Sequence, residues 1–186
     1  MSVWLNLAGY QLVWFAAVIG AGNGMAWPGV IAMLVFAAWQ LARSQQRRID
    51  LQLVAVALLL GATIDGSLAL SGWAIYAAPA PALPSGGAPI WILALWIAFA
   101  LTLDQTLLFL QTRIGLAVLF GAIGAPLAYA GAARGWNAVT FAAPAWHALA
   151  AIALGWAVAM PLLAALARHW KTTAPSLHTP ITRSLQ

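Results

Sequence analysis

The chain has 186 residues, 64% of them hydrophobic and only 6% charged. Soluble domains carry about 25% charged residues, so the composition excludes a soluble enzyme or binding domain and points to an integral membrane protein. The formal charge of +5 is dispersed and forms no basic stripe, which excludes a nucleic-acid footprint, and the absence of cysteine excludes disulfides, thiolate metal sites, iron–sulfur clusters and thiol nucleophiles.

A helix of about 20 apolar residues crosses the roughly 30 Å hydrocarbon core of a bilayer. Spans of that kind use up nearly the whole chain. The opening MSVWLNLAGYQLVW lacks the basic region of a signal peptide and reads as a retained first helix over 3–20, with Asn6, Tyr10 and Gln11 in its first half. The glycines of 20–29 release the backbone, and Pro28 suits the first turn of a short second helix over 28–42. A third helix is predicted over 51–76 and contains Asp65 followed by Gly66. The stretch 78–89, APAPALPSGGAP, is too rich in proline and glycine for a helix. A fourth helix over 90–111 is uncharged as far as Asp104 and Gln105. The fifth, over 114–132, carries Gly115, Gly121, Gly124 and Gly131 with Pro126 among them. The sixth runs over 145–167, and the tail 168–186 is polar.

The expected fold is therefore all-α, one polytopic bundle of six spans over 1–167. Charge sets its orientation. With both termini cytoplasmic, the inner segments hold Arg43, Arg47, Arg48, Arg113, Arg168, Lys171 and Arg183, against Arg134 alone outside. Excess Lys and Arg on the inner side is what orients membrane proteins.

Depth then sorts the polar residues. Asp65 and Asp104 each lie about 21 Å into their helices, but from opposite sides, so they stand about 12 Å apart in depth and form no shared-proton dyad. One layer gathers Asn6, Tyr10, Gln11, Asp104 and Gln105; the other gathers Asp65, Ser67, Tyr129 and His147. An Asp in mid-span costs about 2.5–3.5 kcal/mol on insertion scales, so each carboxylate is there for packing or for function. Asp104 reads first as a polar contact to Asn6 or Gln11 that fixes helix packing. Asp65 is the stronger ligand-binding or proton-linked candidate, with Tyr129 and His147 beside it. No serine elbow accompanies Ser67 or Ser71. His147 and His169 are about 33 Å apart on one helix, so no metal is expected, nor any cofactor or catalytic residue. Ala117, Gly121 and Ala125 make a small-xxx-small ridge for close helix packing, and Pro126 frees a carbonyl. Of the eleven tryptophans, Trp14, Trp39, Trp96 and Trp156 lie deep enough to line a lipid-shaped pocket.

Asn6, Tyr10, Gln11 and Trp14 in helix 1, with Gly61, Asp65, Leu68 and Gly72 in helix 3, carry a family resemblance. So do Pro89, Trp91, Leu95, Trp96, Phe99, Thr102 and Leu103 in helix 4, and Gly121, Gly124, Pro126, Leu127, Tyr129 and Gly131 in helix 5. In order and spacing over residues 3–165 the chain resembles a bacterial inner-membrane family of unknown function, domain-of-unknown-function family number 2878. Asp104 departs from the small polar or Asn-like residue expected there, and Ala125 from a second glycine, which favours Asp65 as the residue with a family-wide role. The resemblance implies a multi-pass protein of the bacterial inner membrane, no assigned reaction, and an association with lipid-modifying enzymes of the cyclopropane-synthase type.

The leading expectation is a non-catalytic accessory protein that binds a lipid or isoprenoid near Asp65 and Tyr129. Its expected partners are membrane lipids, with a second copy or another membrane protein as the protein partner. The alternatives are a small proton-coupled transporter of a hydrophobic or cationic solute, and a membrane-embedded lipid-modifying enzyme. The transporter lacks a visible inverted repeat, and the enzyme a recognisable nucleophile.

Overall fold

The structure, a computed structural model, describes residues 3–106 and 108–173; the side chains of 104–109 lie outside that description. Among the described residues the chain forms seven helices and four short strands. Helix α1 (Val3–Gly22) turns at Gly24, whose φ of 76° suits glycine, into α2 (Trp27–Arg43), which carries Pro28 in its first turn. Helix α3 (Arg47–Leu70) ends at Ser71 and Gly72; the amides of both bond back into its last turn, and Gly72 takes φ 73°. Helix 3 of the sequence thus stops short of Tyr76, which lies instead in strand β1 (Ala74–Tyr76).

The proline-rich segment is not helical. It folds into the pair β2 (Ala82–Leu83) and β3 (Ala88–Pro89). Helix α4 (Ile90–Thr106) follows directly, and the short α5 (Leu108–Thr112) takes up the remainder of the fourth expected helix. Helix α6 (Ile114–Trp136) closes on Asn137, in the left-handed conformation at φ 53°. Strand β4 (Val139–Phe141) then pairs antiparallel with β1, Tyr76 opposite Val139, and α7 (Trp146–Thr173) completes the bundle.

The Ile90–Leu103 part of α4 is apolar on every face because it is largely enclosed: residues 91–94, 96 and 98–103 are buried. It packs against α1, α2, α3 and α7. The other long helices turn large apolar side chains outward, among them Trp4, Leu12, Leu59, Leu127 and Leu154. Contiguous apolar surface on that scale belongs against lipid. Four helices, α1, α3, α6 and α7, are long and apolar enough to cross a membrane; α2 and Ile90–Leu103 of α4 are shorter apolar helices.

The strands gather at one end of the bundle. There β1 and β4 join the segments after α3 and before α7, and Gly22 at the end of α1 lies against Trp136 at the end of α6. The opposite end collects Arg43, Arg47, Arg48, Arg113, Arg168 and Lys171, with Trp170 of α7 beside Arg48 and Ile49 of α3. Arg134 alone among the described basic residues sits at the strand end.

Candidate functional site

Asp65 is fully buried in α3, a little over one turn from the strand end of that helix. Three donors converge on it. The hydroxyls of Tyr76 and Tyr129 donate to Oδ1 at 2.8 and 2.5 Å, and the indole Nε1 of Trp96 donates to Oδ2 at 2.7 Å. The site thus ties α3 to β1, α4 and α6 through one carboxylate. All three donors are neutral, so the carboxylate's acceptor capacity is met without a basic side chain.

Local sequence sets each arm. The helix stop at Gly72 lets the chain double back, so that Tyr76 reaches down onto Asp65 from the strand end. Gly61, one turn before Asp65, makes room for Trp96: a Cβ there would run into the indole ring. Trp96 is held on its far side by Trp156, with ring centroids 4.2 Å apart and an interplanar angle of 18°. Gly66 lies under the backbone of Gly87 and Ala88, which closes the strand end over the site. Burial first, and the neighbouring Asp65 second, push the Tyr76 hydroxyl well above the ordinary tyrosine range, which keeps it a donor.

Beside this cluster lies a cavity of about 180 Å³ between α1, α4, α6 and α7. Tyr10 and Trp14 line it from α1, Trp96 and Phe99 from α4, Tyr129 from α6 and Trp156 from α7. With Phe120, seven of its thirteen lining side chains are aromatic, and none is charged. The wall reaches the outer surface of the bundle at Phe120, which is 50% exposed, and at Gly124, where an added Cβ would meet nothing within 4 Å. Asp65 stands one side chain behind that wall, bonded to two of its members, Tyr129 and Trp96.

The residues singled out in the sequence therefore part company. Asp65 and Tyr129 meet. His147 lies at the start of α7 against Trp73 and Trp146, and contributes none of the Asp65 hydrogen bonds. Asn6 is fully buried and accepts from Gln40 Nε2 at 2.8 Å, which also donates to the Leu101 carbonyl at 3.1 Å; this pair links α1, α2 and α4. Gln11 is exposed. Asp104 belongs to α4, with its side chain outside the described residues. Trp14, Trp96 and Trp156 line the cavity and Trp39 does not. Gly121 lies against the Trp156 carbonyl so closely that a Cβ would clash with it; Ala125 is buried on the same face, and Pro126 stands inside α6.

Sequence reasoning missed three participants. The apolar run puts Tyr76 inside the third helix, although Ser71-Gly72 marks the helix end. Depth assigns Trp96 to the pocket lining and carries no sign of its donor role. Gln40, a lone amide in an otherwise apolar helix, was the available signal for a partner to Asn6.

The match to a protein-family model runs over residues 3–162, and its description is a protein of unknown function, DUF2878. The chain belongs to that family. Neither the search of curated proteins nor that of solved structures found a match.

Proposed function

We propose that this family member is a six-span protein of a bacterial inner membrane, both termini cytoplasmic, that binds an apolar chain or ring system drawn laterally from the bilayer. The observation that carries the reading is the aromatic cavity open at Phe120 and Gly124, on an exposed apolar face of α6. Mostly apolar, preformed clefts with a few fixed polar groups are the usual form of small-molecule sites. The lateral mouth suits a lipid or isoprenoid already dissolved in the membrane. The non-catalytic reading is supported by the three donor groups around Asp65, which are engaged with that carboxylate rather than turned to the cavity. The family's association with lipid-modifying enzymes fits an accessory that presents or senses a membrane lipid.

The test is lipid mass spectrometry on protein purified from native membranes. The wild type should carry a specific apolar molecule at a fixed stoichiometry. Gly124→Phe, whose Cβ meets nothing within 4 Å and whose ring fills the mouth, should strip it. An identical lipid profile in the two proteins would sink the proposal.

One observation favours a second reading, proton-coupled transport. Tyr129 belongs to the cavity wall and donates to Asp65, so a proton-binding group lies one side chain from the occupant. Solute-driven proton movement in liposomes, lost in Asp65→Asn, would select it.

A further inference from the structure

The cavity wall carries no cation, and the ionisable group behind it is Asp65, whose two oxygens accept three hydrogen bonds, the arrangement that favours a carboxylate in its acceptor-only, ionised form. Ring faces are the negative pole of an aromatic side chain and attract ammonium groups, the more so where water is excluded. Two of the rings, Tyr129 and Trp96, donate hydrogen bonds to Asp65, and donation to an anion polarises the donor and enriches its π-system. Trp156 is stacked on Trp96 and has Phe99 edge-on at 5.0 Å, which fixes this part of the wall in place. No basic side chain answers the carboxylate: its three donors are two phenols and an indole. The remaining positive charge of the described chain lies at the ends of the bundle.

From this charge complementarity we infer that the cavity selects an apolar cation, a quaternary or protonated tertiary ammonium carried on a hydrocarbon or aromatic body, over its neutral isostere. The inference rests on the reading of the cavity as a ligand site and adds the sign of the ligand's charge. A neutral hydrocarbon fills the same space and leaves the negative potential of the wall unanswered. An ammonium answers it and needs no direct contact with Asp65, because the carboxylate acts through the rings it has polarised. Asp65 is then a positioning and charge-setting residue behind the wall.

The experiment compares benzyltrimethylammonium with its carbon isostere neopentylbenzene on the full chain in nanodiscs. Both are brought to equal mole fraction in the bilayer and read by tryptophan fluorescence and thermal shift. The cation should bind about tenfold more tightly than the isostere. In Asp65→Asn the ratio of the two affinities should fall to within about twofold, whatever the absolute affinity of either probe. Should Asp65→Asn fail to accumulate, Tyr129→Phe carries the same comparison: it keeps the ring, removes one donor to the carboxylate, and should shrink the preference. Equal binding of the two probes by the wild type would overturn the charge selection and leave the apolar reading standing. Binding of neither would overturn both. A full preference surviving in the variant would show that Asp65 is not its source, and would overturn the inference.

Discussion

Asp65 receives donors only, and that decides what can replace it. Asparagine has the right size, but it offers one carbonyl oxygen where the carboxylate offers two and turns an NH₂ toward the third donor. Either the Trp96 N–H or the tyrosine hydroxyls then lose their acceptor inside the bundle. An unpaired buried group costs about 1–3 kcal/mol, so Asp65→Asn should melt lower than the wild type in detergent. Tyr76→Phe should be milder, because Tyr129 remains on the same oxygen. Equal melting temperatures for Asp65→Asn and wild type would mean that the three donors do not hold the bundle together. Gly61→Ala tests the same cluster from behind, since the new methyl displaces the indole that serves Oδ2; it should destabilise by about 1–3 kcal/mol through overpacking. The residue scale also shows what was legible. Asp65 and Tyr129 could be matched by depth, because helical rise converts sequence position directly into height. Tyr76 could not, because it reaches the site by a reversal of the chain, which no helical period describes.

Among the elements, α6 and α7 form the most extensive helix pair, and one glycine sets their separation. Ala117, Gly121 and Ala125 are all buried on the α6 face, and Gly121 rests on the backbone carbonyl of Trp156. Backbone cannot step aside as a flexible side chain can. Gly121→Ala should therefore lower stability by about 1–3 kcal/mol, and Gly121→Leu by more. Gly124→Ala and Gly131→Ala, with nothing within 4 Å, should leave the melting temperature unchanged or raise it, because alanine is the better helix former. Identical behaviour of the three alanine variants would place the Gly121 face away from α7. The small-residue ridge was readable because helical spacing alone aligns 117, 121 and 125. The four short strands were not. Segments of two or three residues give too little alternation to register, and β1 finds its partner only across more than sixty residues of chain.

For the molecule as a whole, charge and strands divide the two ends. Six basic residues among those described gather at one end, and the paired strands with Arg134 cap the other. Inner Lys/Arg excess then predicts that a reporter fused after Arg48 or Arg113 reads cytoplasmic, and one inserted at Gly86 or Gly135 reads periplasmic. A cytoplasmic signal from Gly86 would overturn the proposed orientation. Composition made the apolar, helical character of the chain plain, and four of the described helices are long and apolar enough to cross a membrane. The sealed strand end, with Tyr76 folded inward beneath it, depends on contacts between distant segments, and composition carries no record of those.

The spacing of the three donors along the chain gives the carboxylate a history during synthesis. Tyr76 follows Asp65 by 11 residues, Trp96 by 31 and Tyr129 by 64. When α3 leaves the ribosome, Asp65 therefore has none of its partners, and it acquires the last of them only after two-thirds of the protein has been made. A fragment released before α6 would hold an acid in the membrane with an empty place in its shell. The shell around Asp65 is therefore completed from the C-terminal side, and only once Tyr129 of α6 has been made.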